Sequence, residues 1–477
     1  MTYPHILRMK RCYTYLFLLF ACLLLLLACE QDDFSTNSKH TLSFSRDTLM
    51  LDTIFTGTAT STYMLKVYNR NKQPLLISSV LLANAANSGF RINVDGAKGT
   101  SFSDIEIKGK DSLHIFVEAT VDVTQTNEPF LVKDSILFLT NGVQQDIKLR
   151  VYGQNVEIFR GKVIAVDTVI TAVRPLVIYD SLHIAKDATL TLAAGSRLFF
   201  HQGAGLKVYG KLKAEGGISS PVIMRGDRTD KMFDDLPYDR LPGQWEGVRF
   251  YNTSFGNSLN YTDIHGGNYG VLCDSSGMDR RKIVITNSKI SQVSRNALDM
   301  TLCQAVIANS EITNAGNNCV KLLGGDYEFT HCTIANYYAW DIRKGTALYL
   351  SNGQNDISYP LSMASFRNCV IAGSASDELT GNKSPDNSAP FNYYFSHSLI
   401  NSTEEEGEEV VNVVWKKDDH FIQLDKTKLI YDFRPDSLSG AINIGLLKDA
   451  ASYPVDRNGI SRVSDAAPDA GCYEWVE

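Results

Sequence analysis

The sequence predicts an all-β protein in which an N-terminal β-sandwich is followed by a right-handed parallel β-helix. Three observations predict this fold class. Short runs of alternating apolar and polar residues, separated by turns, fill residues 41–155. Beyond residue 156 apolar pairs recur every eight residues, and further on a longer unit repeats every 22 residues. The eight-residue spacing is too short for the crossover helices of an α/β protein.

The first 28 residues have the pattern of a secretory signal peptide. Arg8, Lys10 and Arg11 precede an almost unbroken apolar run over residues 13–28, which is short for a membrane span. The run ends in LLAC at Cys29, which resembles the lipobox of bacterial lipoproteins and implies cleavage before Cys29 and lipidation of its thiol. A plain signal peptide with a chance cysteine is the alternative.

The residues after Cys29 read EQDD, and this resembles the acidic export signal of surface lipoproteins in the Bacteroidota. The resemblance implies an outer-membrane lipoprotein that faces the cell exterior, with residues 29–40 as the lipidated tether and the membrane as a partner. Several acyl chains on one residue would anchor it firmly. Periplasmic display is the alternative.

The charge of the mature chain argues against nucleic acid as a partner. Removing residues 1–28 leaves 43 Lys and Arg against 53 Asp and Glu, whereas nucleic acid requires a basic face. Six cysteines remain beyond Cys29, and none belongs to a CxxC pair, so no zinc site is predicted. The cell envelope permits disulfides, but we expect most of these thiols to be small buried fillers. They are Cys273, Cys303, Cys319, Cys332, Cys369 and Cys472.

Residues 41–155 are predicted to form a sandwich of roughly seven strands. His114–Glu118 alternates in polarity, and residues 135–140 run into Asn141-Gly142, a strong two-residue hairpin signal, before residues 146–152 close the hairpin. The stretch resembles the immunoglobulin-like domains that precede larger domains in Bacteroidota surface lipoproteins. Such a domain usually spaces or presents something else.

The β-helix is predicted from stacked columns of residues. Three eight-residue units make one three-sided coil, close to the later 22-residue repeat. The repeat has a four-residue core that reads NSKI, NSEI and HCTI. Asn and His at its first position suit a left-handed bend, and Asn can bond its neighbours in adjacent coils. The rival leucine-rich repeat lacks its Leu columns here. The apolar pairs are Leu182/Ile184, Leu190/Leu192, Leu198/Phe200 and Leu206/Val208. The first column of the four-residue core contains Asn287, Asn309, His331, Asn368 and His397, and the second contains Ser288, Ser310, Cys332, Cys369 and Ser398. The fourth, aliphatic column contains Ile290, Ile312, Ile334, Ile371 and Ile400.

Two segments carry a family resemblance. Residues 206–216 with residues 221–223 resemble an opening coil, and residues 456–459, Arg462 and residues 468–474 resemble the closing segment, of the pectate-lyase-like β-helix superfamily. The resemblance implies a β-helix over residues 156–477 with a C-terminal cap. It implies little about activity, because this fold serves lyases, hydrolases, adhesins and spacers.

One column of charged residues is the first candidate site. The residues nine positions after Ile290, Ile312 and Ile334 are Asp299, Lys321 and Arg343. This spacing predicts that they lie on one exposed face, one in each coil, as weak catalytic candidates. Aromatic side chains nearby are candidates for binding a sugar: Tyr337, Tyr338 and Trp340. Pectate lyases use Arg or Lys as the base on such a face, with carboxylates holding Ca²⁺, and polygalacturonases use clustered Asp. An ion-pair ladder on a solvated sheet is the alternative.

The loop over residues 225–245 is the second candidate. It contains five aspartates whose oxygens could hold Ca²⁺, although four basic residues are interleaved and no EF-hand spacing occurs. The alternative is a lid packed by Phe233, Tyr238 and Trp245, and His265 is expected to be a turn residue. The aspartates are Asp227, Asp230, Asp234, Asp235 and Asp239.

Three function classes follow from these patterns. The first is a surface-anchored protein whose β-helix binds a glycan or a partner protein. The second is a polysaccharide lyase or glycoside hydrolase acting on an acidic glycan, and the third is an architectural spacer or adhesin. No HExxH, GxSxG, phosphate loop or GxGxxG motif is present, and no cofactor other than Ca²⁺ is suggested.

Overall fold

The computed structural model describes residues 33–404, 407–415, 419–464 and 467–477. The predicted signal peptide and Cys29 therefore lie outside the described residues. The described chain forms two compact units, residues 33–123 with 130–153, and residues 124–129 with 154–477. None of the helices in the described part of the chain is long and apolar enough to cross a membrane.

The first unit is a sandwich of two sheets around one apolar core, and its eleven strands exceed the roughly seven predicted. One sheet contains, in spatial order, Ser43–Phe44, Tyr63–Tyr68, Ser112–Ala119, Phe90–Val94 and Ala97–Gly99. The other contains Thr48–Met50, Val143–Gln154, Phe130–Thr140, Leu75–Leu82 and Ser101–Ile107, with Ile54–Phe55 paired to Val143–Gln154.

The predicted Asn-Gly hairpin is present. Thr140 pairs with Val143 across the turn, and Asn141 and Gly142 have φ of 53° and 76°. Positive φ at both central residues is what the two-residue turn between twisted strands requires. The outward and inward positions alternate along both strands, so one face of the hairpin enters the sandwich core.

The second unit is a parallel β-helix with three long sheets, which we name faces A, B and C. Face A contains Glu157–Arg160, Leu176–Tyr179, Arg197–Phe200, Val222–Gly226, Thr262–His265, Lys289–Val293, Glu311–Ala315, Thr333–Asn336, Val370–Gly373, Leu399–Ile400 and Val414–Trp415. Face B contains Val163–Ile164, Leu182–Ile184, Leu206–Val208, Val248–Phe250, Val271–Cys273, Leu298–Thr301, Val320–Leu323, Leu348–Ser351 and Leu379–Asn382. Face C contains Thr168–Ile170, Thr189–Ala193, Lys211–Glu215, Asn257–Asn260, Ile283–Thr286, Gln304–Ala308, Gly325–Thr330, Leu361–Arg367, Phe391–Ser396 and Val410–Val411. The predicted fold class is confirmed.

Loops between the faces carry the remaining elements. The pairs Lys231–Phe233 with Leu236–Pro237, Gly353–Gln354 with Ile357–Ser358, and Phe421–Asp425 with Ile430–Pro435 are short antiparallel hairpins. Tyr238–Arg240 is a 3-10 turn and Leu447–Ala450 is a one-turn α-helix.

The predicted bend column lies between face C and face A, and all five of its residues have φ of 48–53°. The ladder between coils also forms. Asn309 Nδ2 donates to Asn287 Oδ1 at 2.6 Å, and Asn287 Nδ2 donates to Asn260 Oδ1 at 2.8 Å. Asn368 Nδ2 lies 3.0 Å from His331 Nε2. Left-handed backbone and ladder bonds therefore select the same residue types.

The interior columns stack as predicted. Ile264, Ile290 and Ile312 are consecutive partners on face A, and the register continues through Ile334, Ile371 and Ile400. The apolar pairs spaced by eight residues are fully buried. All six described cysteines are free and buried, which confirms that they are fillers.

The closing segment lies along the side of the coils. Leu446 N donates to Asn368 Oδ1 at 2.8 Å, and Cys472 N donates to Thr333 Oγ1 at 3.0 Å. The buried Arg462 donates to Asn309 Oδ1 at 2.7 Å and pairs with Glu474. An apolar cluster joins face A to this segment and contains Ala335, Tyr337, Val370, Ala372, Leu399, Phe433, Ala441, Ala470, Cys472 and Tyr473. The later coils of face A are thereby covered.

Candidate functional site

The charged column predicted on face B has two members. Asp299 and Lys321 are consecutive partners, and their Oδ1 and Nζ atoms are 3.7 Å apart. The next place in this register belongs to Tyr349, so the expectation that Arg343 stacks third is wrong. The irregular loop before Leu348–Ser351 breaks the nine-residue spacing.

Arg343 serves a structural pair instead. Its NH1 group donates to the buried Glu378 at 2.8 Å and to the carbonyl oxygen of Asn336 at 2.6 Å. Neither this guanidinium nor Lys321 offers an uncompensated charge to a ligand. An isolated ion pair remains on face B where a catalytic row was expected.

Two of the three candidate aromatic residues are packed inside the protein. Tyr337 is 6% exposed, contacts Phe421 edge to face at 6.2 Å, and bonds through its hydroxyl to Asp419. Tyr338 is also buried, whereas Trp340 is 38% exposed. The expectation of three sugar-stacking surfaces is therefore wrong for both tyrosines, because the hairpin Phe421–Asp425 with Ile430–Pro435 packs on Tyr337 and the Tyr338 side chain is buried.

The five loop aspartates do not converge. Asp227 lies 2.7 Å from His201, Asp230 accepts two bonds from Arg228, and Asp239 pairs with Arg225. Asp234 and Asp235 have exposed side chains, and no three His, Cys, Asp or Glu groups in the described ranges are placed to hold a metal. The predicted Ca²⁺ site is not formed, because Asp227, Asp230 and Asp239 are each bonded to a different side chain and do not face one common point.

The lid interpretation of this loop is right for one residue. Trp245 is fully buried and stacks on Phe200 at 4.3 Å, and its Nε1 donates to the carbonyl oxygen of His265 at 2.9 Å. Phe233 remains 67% exposed, and Tyr238 is half-buried beneath Arg228, whose guanidinium lies 3.7 Å from the ring centre. Trp245 therefore fixes the loop close to His265.

The strongest polar convergence is on face A, around His265. The expectation that His265 is a turn residue is wrong, because it is the last residue of the strand Thr262–His265. Its ring is held at both nitrogens, by Asp263 Oδ1 at 2.8 Å from Nδ1 and by Asp239 Oδ1 at 3.1 Å from Nε2. Alternation along the strand places Asp263 and His265 on the same outward side, with Ile264 inward.

A charged row adjoins this pair. Asp263, Lys289 and Glu311 are consecutive partners in the register of face A. Lys289 Nζ lies 3.1 Å from Glu311 Oε1, and the Tyr473 hydroxyl donates to Glu311 Oε2 at 2.6 Å. The ion-pair ladder that the sequence suggested for face B thus occurs on face A.

The charges set the protonation of the cluster. Burial lowers the pKa of His265, but the Asp263 charge and the bonds to both aspartates outweigh it and raise this pKa to about 9. Burial would raise the pKa of Asp263, but the His265 bond and the charges of His265, Lys289 and Arg457 lower it to about 2. The pKa of Asp239 is also lowered, since the His265 bond outweighs burial. At neutral pH we expect an imidazolium between two carboxylates.

A cleft of about 180 Å³ opens over this cluster. One wall is face A, and the other is the hairpin Phe421–Asp425 with Ile430–Pro435. Tyr431 stands at this second wall, half-buried, with its hydroxyl donating to the carbonyl oxygen of Tyr337 at 3.2 Å. The lining residues are Asp239, Arg240, Asp263, His265, Lys289, Ser291, Gln292, Thr313, Asn314, Leu429, Tyr431 and Phe433.

One sequence signal could have found this cleft. The third position of the four-residue repeat, between the small and the aliphatic columns, reads Lys289, Glu311, Thr333, Val370 and Leu399. Outward residues that are charged in two coils and apolar in two later coils indicate a face that is partly covered. The cover itself comes from residues distant in sequence, such as Tyr473, which bonds to Glu311 across 162 positions, and no repeat pattern reveals it.

No protein-family model matches the chain, and no curated protein is recognisably similar to it in sequence. Three solved structures show weak likeness. The catalytic unit of a GH87 α-1,3-glucanase from Streptomyces thermodiastaticus matches 73% of this chain and 72% of its own, at 12% identity and a TM-score of 0.21. A family 123 glycoside hydrolase from Clostridium perfringens matches 25% of this chain and 30% of its own, at 9% identity and a TM-score of 0.18. The periplasmic chaperone SfaE matches 24% of this chain and 58% of its own, at 13% identity and a TM-score of 0.17. None reaches a TM-score of 0.5, so we base the functional proposal on the cleft.

Proposed function

We propose that the chain is an outer-membrane lipoprotein, anchored through Cys29, whose β-helix binds a neutral glycan in the face A cleft. The signal sequence and the LLAC motif support the anchor. The observation that carries the binding role is the cleft, where a fixed polar network faces a tyrosine ring across about 180 Å³.

The chemistry of the cleft suits sugar hydroxyls. Asp239, Asp263 and Lys289 are held in place by partners, yet each charged group keeps further donor or acceptor capacity for a hydroxyl group. A preorganised site of convergent polar groups beside an aromatic wall is typical of small-ligand pockets. Because these charges are mutually paired, the site favours a neutral sugar over an acidic one.

The same network argues for binding over cleavage. Glycoside hydrolysis requires one carboxyl group with a raised pKa that can donate a proton to the leaving oxygen. Here Asp239 and Asp263 both have lowered pKa values, and both protons of His265 are directed at those carboxylates. Neither aspartate is therefore set up as a proton donor at neutral pH.

The test is glycan binding by the full chain, purified in detergent, first on a broad array of neutral oligosaccharides and then by calorimetry. Tyr431→Ala should weaken binding about tenfold or more, because one aromatic wall is lost, an effect of about 1.4 kcal/mol. Tyr431→Phe should bind as the wild type does. Trp340→Ala is the matched control, since it removes an exposed aromatic ring outside the cleft.

Two results would count against the proposal. If no neutral glycan binds, or if Tyr431→Ala and Trp340→Ala bind equally well, the cleft is not a sugar site. New reducing or unsaturated ends released from a bound glycan would instead place the protein among the hydrolases or lyases.

A further inference from the structure

A second cavity, of about 780 Å³, lies where face B turns into face C. It is separate in its residues from the face A cleft. Four successive coils contribute the loops after the face B strands Leu182–Ile184, Leu206–Val208, Val248–Phe250 and Val271–Cys273. The lining residues are Lys186, Asp187, Ala188, Thr189, Gly210, Lys211, Asn252, Thr253, Phe255, Gly256, Gly277, Arg280 and Arg281.

The lining is strongly cationic although the chain as a whole is acidic, with a formal charge of −7. Within the described ranges, Lys186, Lys211 and Arg281 have no ion pair within 4.0 Å. Arg280 has a partner, Asp279, at 3.5 Å, but both side chains are well exposed, so solvent weakens this pair. Asp187 is the acidic residue of the lining itself.

A buried polar frame fixes the loops that carry these cations. Ser254 Oγ donates to the carbonyl oxygen of Gly210 at 2.6 Å, and Asn257 Nδ2 donates to Ser254 Oγ at 2.9 Å. Asn257 Oδ1 accepts from Leu212 N at 2.8 Å, and the buried Lys282 donates to the carbonyl oxygen of Tyr251 at 2.8 Å. Hydrogen bonds within the coils therefore hold the loops that shape the cavity.

We propose that this cavity binds a saccharide carrying two or more phosphate or sulfate groups. Four cationic side chains, opposed by the acids Asp187 and Asp279 and by Asp326 near Arg281, leave an excess of positive charge for an anionic ligand. Guanidinium groups pair with tetrahedral oxyanions through two parallel bonds, and Lys adds point charges. A volume of about 780 Å³ is far larger than one phosphate ion and lies within the usual range of ligand pockets. This site goes beyond the neutral-glycan cleft of face A.

The charge pattern also predicts how binding responds to salt. The cavity is open to solvent at Lys186 and Arg281, both of which are exposed. Ions screen such charges over about 10 Å at 0.1 M salt and over a shorter distance at higher salt. Affinity should therefore fall as the salt concentration rises from 50 to 300 mM.

Calorimetry on the full chain in detergent tests the proposal with two probes, a heparin-derived tetrasaccharide and glucose 1,6-bisphosphate. We expect at least one to bind with a salt-dependent Kd. The double variant Lys211→Gln, Arg281→Gln should weaken binding at least tenfold. Lys213→Gln is the matched control, because Lys213 is on the same strand as Lys211 but outside the cavity. A melting curve for each variant checks that it folds.

The two probes distinguish a sulfated from a phosphorylated ligand. Binding of the tetrasaccharide alone supports a sulfated ligand, and binding of the bisphosphate alone supports a phosphorylated one. Absence of binding by both probes at 1 mM would overturn the proposal, as would an equal loss in Lys213→Gln and the double variant. Binding of inorganic phosphate as tightly as either probe would overturn the saccharide assignment. None of these results depends on the face A cleft, which Tyr431→Ala tests separately.

Discussion

His265 should make the stability of the β-helix unit decrease with rising pH in the neutral to mildly alkaline range. A group whose pKa is higher in the folded chain binds its proton more tightly when folded. The resulting stability is complete below the unfolded pKa and is lost as the pH rises through the folded pKa. For His265 these values are 6.5 and about 9, so the window extends from about pH 6.5 to pH 9.

The size of the effect follows from the shift. One pKa unit corresponds to about 1.4 kcal/mol, so the free energy of unfolding should fall by about 2–3 kcal/mol between pH 6 and pH 9. Burial raises the pKa of Glu474 to about 7, so Glu474 adds to the decline of the free energy of unfolding only below pH 7. His183 and His331 have lowered pKa values and oppose the decline below pH 6.5. Burial raises the pKa of Cys273, Cys319, Cys332 and Cys472, so these thiols add a decline in stability as the pH approaches 9. The interval from pH 7.5 to pH 8 therefore isolates His265.

Tryptophan fluorescence during urea unfolding reports this unit alone. All four tryptophans, Trp245, Trp340, Trp415 and Trp475, belong to the second unit. His265→Gln should be less stable than the wild type at pH 7.5 and should show no decline between pH 7.5 and pH 8, where the wild type declines. His201→Gln is the control, because the His201 side chain is 53% exposed and its pair with Asp227 is screened. A wild-type slope in His265→Gln would refute the assignment.

Three further predictions concern the fold and the anchor. Asn309→Val should lower the free energy of unfolding by about 2–4 kcal/mol, because a β-branched residue resists φ of 52° and the buried Arg462 loses an acceptor. Asn309→Gly should lower it by less, because glycine accepts this φ. A wild-type urea midpoint for Asn309→Val would contradict the stabilising role of the ladder. The six described thiols should resist iodoacetamide in the native chain and all react in urea, since burial raises the pKa of Cys472 to about 12 and encloses the others; native labelling would show that the coils open. Cys29→Ser should move the protein from the membrane to the soluble fraction, and unchanged retention with normal signal processing would exclude lipidation.

The stacked columns explain why the fold could be predicted from the sequence. Each coil repeats the same environment, so Asn309 meets the same backbone requirement as Asn287 and Asn368, and Ile312 the same core position as Ile290. Five repetitions of a weak local preference make a strong signal. The Asn141-Gly142 hairpin was predictable for a different reason, because its φ values belong to two adjacent residues.

The site was predicted less well because it depends on insertions between coils. The nine-residue spacing predicts Arg343 in the column of Lys321, but the loop after Asn336 lengthens this coil and Tyr349 takes that place. The sequence places Tyr337 in the loop that leads to Arg343, and no residue near it in sequence shows that it is covered. Its partners, Phe421 and Asp419, are about 80 residues further along the chain. Counting residues from one coil to the next predicts stacked positions reliably only where the two coils have the same length.

The outward column of face A shows how one sheet can both bind and support. Its first charged members, Asp263, Lys289 and Glu311, are paired with one another, and Glu311 is also bonded by Tyr473. Beyond Glu311 the column becomes Thr333, Val370 and Leu399, and there the closing segment packs directly on the sheet. Apolar residues in those coils would be unfavourable without the cover, and charged residues beneath it would lose hydration. The cover extends from the apolar coils to Glu311, whose charge is offset by Lys289 and the Tyr473 hydroxyl, and the cleft forms at that edge.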